Sequence, residues 1–134
     1  MPFVEWDDRY LLKIDIIDQH HQHLFELLNK TYEDFRCNSS ANNLGPVLHE
    51  LLDYATYHFI TEEKYMATHL YPGIADHKEE HRSFVIKISK LHKAFLKGDL
   101  NLTFETIVYL RNWITQHILN TDAQFGIFLT QKKQ

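Results

Sequence analysis

His58 and Glu62 stand four residues apart in the stretch His58-Phe59-Ile60-Thr61-Glu62-Glu63-Lys64-Tyr65-Met66. Four residues is about one helical turn, and side chains at that spacing stack on one helix face. The same face carries Leu51, Ala55 and Tyr65, so it is expected to turn into a core. An ionised carboxylate in an apolar interior is strongly disfavoured unless it is paired, hydrogen-bonded or bound to a metal. A chain with this turn must therefore fold so that other polar groups meet Glu62 inside its core.

The periodicity of the rest of the chain is helical. Residues 1–17 read as an irregular arm, with Phe3, Trp6, Tyr10, Leu12 and Ile14 as apolar anchors interrupted by Asp7, Asp8 and Asp15. From about Asp18, a plausible N-cap, Ile17, His21, Leu24, Leu28, Tyr32 and Phe35 recur every three or four residues. A polar break at 38–43 precedes Gly45-Pro46, which suits the first turn of a second helix running to about Thr68. Its stripe is Leu48, Leu51 or Leu52, Ala55, His58 or Phe59, Glu62, and Tyr65 or Met66.

Tyr71-Pro72-Gly73 breaks the chain again. A third helix then aligns His77, His81, Phe84 or Val85, Ile88, Leu91 and Phe95, and is expected to stop at Gly98-Asp99. The fourth starts near Leu102 or Thr103 and carries Ile107, Leu110, Trp113 or Ile114, and His117. Asp122 lies five residues past His117, about 140° around a regular helix. The helix is therefore expected to end or loosen at Asn120-Thr121. The fold class that results is all-α: an antiparallel, up-and-down four-helix bundle in one domain over 1–134, with the arm at 1–17, the bundle at 18–121 and a short tail at 122–134. Phe125, Ile127 and Phe128 of that tail can cover one end of the core.

Composition narrows the function. A length of 134 residues supports one core. No apolar run reaches the roughly 18 residues of a membrane span and the N-terminus lacks a signal-peptide pattern, so a cytoplasmic location is expected. A net charge of −4 argues against a nucleic-acid partner, and the single cysteine, Cys37, excludes an internal disulfide framework. Ten histidines are the anomaly.

Several of those histidines fall inside apolar stripes. The helices deliver His21, His58, Glu62, His77, His81, His117 and Asp122 to the bundle interior. Any one histidine alone is more often an ordinary core or rim residue. A His-x3-Glu turn, a His-x3-His turn and a His-x4-Asp end in one four-helix chain are hard to explain by packing. Imidazole with carboxylate suits iron, with zinc, manganese and copper chemically possible. The set exceeds one ion's capacity, whereas two ions bridged by the two carboxylates use all of it.

At these residues the chain resembles the hemerythrin family. The pattern comprises Ile17-Asp18-Gln19-His20-His21-Gln22-His23-Leu24-Phe25, His58-Phe59-x-x-Glu62-Glu63-x-x-Met66, Tyr71-Pro72 before His77-x3-His81-x-x-Phe84, and Trp113-Ile114-x-x-His117-Ile118-x-x-x-Asp122. The resemblance covers about residues 6 to 125. Trp6, Tyr10, Ile14 and Ile17-Asp18 fit the bacterial branch, although Lys13 stands where that branch usually has glycine. It implies a cofactor of two iron ions, cycling between ferrous and ferric, with an oxo or hydroxo bridge. One ion would be held by His77, His81 and His117 and the other by His21 and His58, with Glu62 and Asp122 bridging. Dioxygen is the implied partner, bound at an open position of the second iron in a lining of Leu24, Phe59, Trp113, Ile114, Ile118 and Leu119. An internal proton shift would keep the net charge of this buried site unchanged on oxygenation, as a low dielectric favours.

The family reading makes the protein a reversible dioxygen carrier or store rather than an enzyme. A di-iron oxidase or peroxidase, and an oxygen- or redox-sensing module, are the competing classes. His20, His23, His49, His69 and His92 match no ligand position and read as surface or rim residues. His20 and His23 are turned about 100° and 200° from His21 on a regular helix, and Glu63 reads as solvated beside its ligand neighbour.

Overall fold

The computed structural model describes residues 3–37, 44–96 and 104–132. The expected polar break at 38–43, the stop at Gly98-Asp99 and the start near Leu102 or Thr103 lie outside them, as do the side chains of Leu48 and Phe95. Four long helical rods form an all-α antiparallel bundle. α1 spans Asp15–Cys37, α2 Leu44–Thr68 and α3 Ile74–Leu96. The fourth rod is α4, Phe104–Gln116, a π-helical turn His117–Asp122, and α5, Ala123–Lys132. Helix α1 packs on both α2 and α4, and α2 packs on α3. No described helix is long and apolar enough to cross a membrane.

The apolar stripes explain the packing. Leu24, Leu28, Leu51, Ala55, Phe59, Phe84, Ile88, Leu110, Ile114 and Ile118 are all buried in one core cluster. A smaller cluster of Met66, Phe125 and Leu129 closes the end near the α2–α3 turn, with Tyr71, Ile74 and Phe128 packed against it. Ile127, expected to help cover that end, is instead 58% exposed.

One boundary differs from expectation. Helix α1 begins at Asp15, not Asp18. Asp18 is not its N-cap: it sits buried in the first turn and its carboxylate accepts the backbone N–H groups of Leu12 (2.8 Å) and Lys13 (3.0 Å). This closes a tight turn in which Lys13 takes the left-handed conformation, φ 66°. The substitution for the branch's usual glycine therefore leaves the turn in place and forces a lysine into a backbone region that disfavours a Cβ. Upstream, Asn29 holds the arm from both sides, accepting from Val4 N at 2.8 Å and donating to Val4 O at 2.9 Å.

At the far end the fourth rod takes the second of the two expected forms. It loosens at 117–122 rather than ending, and the short tail expected from 122 is helical as far as Lys132. The chain loosens into a π turn and continues as helix, the backbone N–H of Ala123 bonding back to Ile118 O as well as Asn120 O. An i→i+5 turn holds one more residue than an α turn, so residues five apart come back to one face. That is how His117 and Asp122, about 140° apart on a regular helix, both face inward.

The α2–α3 connection is a Schellman cap. Tyr71 N bonds Met66 O at 2.9 Å and Leu70 N bonds Ala67 O at 3.2 Å, with Leu70 left-handed at φ 56°. The ring of Tyr71 then lies over Gly73, where a Cβ would come within 2.9 Å of it.

Candidate metal centre

Every rod contributes to one buried polar cluster. His21 from α1, His58 and Glu62 from α2, His77 and His81 from α3, and His117 and Asp122 from the π turn are each at most 3% exposed. They fall into two overlapping sets whose potential ligand atoms lie within 4.8 Å of one another: Glu62, His77, His81, His117 and Asp122, and His21, His58, Glu62 and Asp122.

The carboxylates divide their oxygens between the two sets. Glu62 Oε1 lies 2.6 Å from His77 Nε2 and 3.2 Å from His81 Nε2, and Asp122 Oδ1 lies 2.7 Å from His77 Nε2 and 3.1 Å from His117 Nε2. The other oxygens face the opposite pair. Glu62 Oε2 is 3.4 Å from His58 Nε2 and 3.7 Å from His21 Nε2, and Asp122 Oδ2 is 3.1 Å from His21 Nε2. The imidazoles also crowd each other through the same atoms, with Nε2 to Nε2 distances of 3.0 Å for both His21–His58 and His81–His117.

Hydrogen bonding accounts for only part of this close approach, among the carboxylate oxygens for Asp122 Oδ1, which accepts from His77 Nε2. Both oxygens of Glu62 and Oδ2 of Asp122 accept no hydrogen bond although they are buried. Orphaned buried acceptors facing several Nε2 atoms are costly as a packing arrangement, but they are the donor arrangement a cation requires. Nitrogen and oxygen donors without sulfur suit a divalent first-row ion. The residues present therefore fit a two-metal group.

The electrostatics point the same way. Burial opposes the ionised form of Glu62, yet His21, His58, His77 and His81 around it hold its pKa well below the usual carboxylate range. Asp122 is likewise lowered despite its burial and the charge of Glu62, with His117 and His21 opposing both. Burial disfavours charge on His21 and His77, but Asp122 and Glu62 outweigh it and push each to about 9. His117 rises to about 10 against its burial, through Asp122 and Glu80. For His58 burial prevails and the pKa is lowered. Two ionised carboxylates sealed in a core thus call for compensating positive charge, and metal binding would replace protons on these imidazoles.

A surrounding layer orients the rings. His81 Nδ1 donates to Glu63 Oε2 at 2.9 Å. His117 Nδ1 donates to Glu80 Oε1 at 2.5 Å, and Thr121 Oγ1 donates to both Glu80 oxygens at 2.9 and 3.0 Å. Glu80 thereby ties α3 to the π turn. Phe59 stacks on His81 with ring centroids 4.0 Å apart, and Trp113 stacks on His117 at 4.6 Å. These two therefore pack on the three-imidazole side, and of the pair only Phe59 also approaches the other side, at 5.8 Å between its ring centroid and that of His58. Leu24, Ile114 and Ile118 are buried beside them in the core, and Leu119 is partly buried against it.

Two readings from sequence change, and one residue was not read at all. Glu63 is not simply solvated: it is the acceptor for His81. His20 is not a rim residue but is 5% exposed, with Nδ1 3.1 Å from His58 Nδ1. Glu80 went unnoticed. The available signal was position: Glu63 and Glu80 each adjoin a cluster residue in sequence, and a metal-ligating histidine ordinarily hands its second N–H to such a neighbour. His49 and His23 behave as surface residues, paired with Asp53 at 3.2 Å and Glu26 at 3.3 Å.

Comparison with known proteins places this cluster in context. Residues 12–126 match the model of the hemerythrin HHE cation binding domain. The chain is 32% identical over 124 residues to a bacteriohemerythrin of Clostridium acetobutylicum, covering 90% of this chain and 96% of that one. It is 31% identical to myohemerythrin-1 of Phascolopsis gouldii, covering 92% of each. A crystal structure of wild-type hemerythrin superposes with a TM-score of 0.87 at 28% identity, covering 92% of this chain and 95% of that one.

Proposed function

We propose that this chain, which belongs to the hemerythrin family, binds dioxygen reversibly at a pair of iron ions held in its bundle core. The observation that carries the reading is the division of oxygens: Glu62 and Asp122 each present one oxygen to His77, His81 and His117 and the other toward His21 and His58. In this assignment the two carboxylates bridge. His77, His81 and His117 complete one half, and His21 and His58 the other. The second half has one imidazole fewer, which leaves room for a small ligand there.

An iron pair held there would supply the reversible electron transfer that dioxygen binding needs. The chain's part is positioning and exclusion. Glu63 and Glu80 fix the ring orientation of His81 and His117. Phe59 and Trp113 clamp the same rings by stacking. Leu24, Phe59, Trp113, Ile114, Ile118 and Leu119 are assigned to the dioxygen lining, and none of them carries an acid that could protonate and expel a reduced ligand. A dry lining also keeps water from displacing it.

The test is spectroscopic. Reduced, iron-loaded protein exposed to oxygen should develop a long-lived visible absorption that disappears under inert gas as the starting spectrum returns. Decay within seconds to a ferric form, with no recovery, would replace the carrier by an oxidase. A reproducible single zinc with no iron in elemental analysis would remove the di-iron reading altogether.

A further inference from the structure

Among the described residues, His20 is the one imidazole outside the seven-residue cluster that touches it through a ring nitrogen. It is 5% exposed, its Nδ1 lies 3.1 Å from Nδ1 of His58, and its ring packs at 5.2 Å from Tyr57 and 5.6 Å from Tyr54. His58 turns Nε2 inward, toward Glu62 Oε2 at 3.4 Å and His21 Nε2 at 3.0 Å. If Nε2 of His58 is the ligating atom, its lone pair must point into the cluster and the ring proton must sit on Nδ1. The group that faces that proton is Nδ1 of His20. It can accept only with a free lone pair, so His20 is neutral and carries its own proton on Nε2.

The contrast with the other half is what gives this contact meaning. His81 and His117 hand their Nδ1 protons to carboxylates, Glu63 and Glu80. His21 Nδ1 is buried without a partner. The three-imidazole half therefore has two anionic supports, whereas the two-imidazole half has a single neutral one. A carboxylate acceptor makes an imidazole a stronger donor and favours a higher charge on the metal; a neutral acceptor fixes the ring while adding no negative charge.

Resting on the di-iron reading above, we propose that His20 is a positioning residue for His58, a neutral acceptor that holds the ring in its ligating tautomer while leaving this half of the centre less electron-rich than the other. Its effect passes through His58, so it is not itself a ligand.

Three substitutions separate the elements of this claim. His20→Phe keeps a buried ring and removes the acceptor. His20→Gln restores a neutral acceptor, and His20→Glu supplies an anionic one. Iron(II) affinity is measured anaerobically by competition with a chromogenic chelator, and the reduction potential of the loaded protein by spectroelectrochemistry. The phenylalanine variant should lose about 10- to 100-fold in affinity, the glutamine variant should recover most of it, and the glutamate variant should hold iron while its potential moves downward. Should the phenylalanine variant fail to fold, the glutamine and glutamate pair decides alone: equal potentials in the two overturn the proposal. Wild-type affinity and potential in His20→Phe would reduce His20 to packing. Wild-type protein that takes up no iron pair would instead overturn the functional reading itself.

Discussion

Replacing Asp18 by alanine tests how the arm is tied to the bundle. The buried carboxylate accepts two backbone N–H groups, from Leu12 at 2.8 Å and Lys13 at 3.0 Å. Hydrogen bonds to a charged acceptor contribute about 1.5–3 kcal/mol each. Removing both, with the Leu12 N–H left in a buried position, should destabilise the protein on the order of 3 kcal/mol. Asp18→Asn keeps one acceptor oxygen and should lose about half of that. With a urea dependence of about 1.5 kcal/mol per molar, within the range for small domains, the alanine midpoint should fall by about 2 M. The assay is urea unfolding of the metal-loaded protein followed by circular dichroism, paired with amide exchange at Leu12 and Lys13. Those two amides should lose protection in the alanine variant while iron content stays unchanged. A midpoint within about 0.3 M of wild type, with the two amides still protected, would refute the account of this turn.

Further outcomes follow from other parts of the molecule. Glu62→Ala removes a carboxylate assigned above as a bridge and should abolish binding of two irons in elemental analysis, whereas His49→Ala and His92→Ala should retain it. Chelation should lower the melting temperature in calorimetry, because metal would compensate the seven polar groups that converge in the core; equal melting points would contradict that coupling. Leu119→Glu should admit a proton source to the lining and shorten the lifetime of the oxygenated form in stopped-flow absorbance. Lys13→Gly should raise stability by about 1 kcal/mol in urea unfolding by relieving the left-handed backbone at φ 66°.

The bundle was legible because its signals are local. Leu51, Ala55, His58, Glu62 and Met66 recur at helical spacing on α2, and the same periodicity brings His77, His81, Phe84 and Ile88 inward on α3. What periodicity does not carry is the fate of a helix that must place two residues five apart on one face. Ending and loosening both satisfy that demand, and only the continuing apolar contacts of Phe125 and Leu129 decide for loosening. His20, Glu63 and Glu80 escaped for another reason. Each lies off the inward stripe of its own helix, so its partner is set by how neighbouring helices dock rather than by its own register. Asp18 reads as a cap because it precedes an apolar run, but its oxygens are claimed by a turn upstream whose shape a positive φ at Lys13 dictates.

The π turn has a consequence beyond bringing His117 and Asp122 together. One surplus residue in a helical turn sets everything downstream back by about 100° relative to an unbroken α-helix. The ten residues of α5 therefore inherit their rotational phase from the turn that carries His117 and Asp122. With that phase Phe125 and Leu129 are buried under Tyr71 and Met66 while Ile127 faces solvent. Without it a different edge of α5 would meet the bundle, with Phe125 and Leu129 displaced from it. The closing of one end of the core and the orientation of the Asp122 carboxylate are thus one geometric variable, and a change in residue count between His117 and Asp122 would shift both at once.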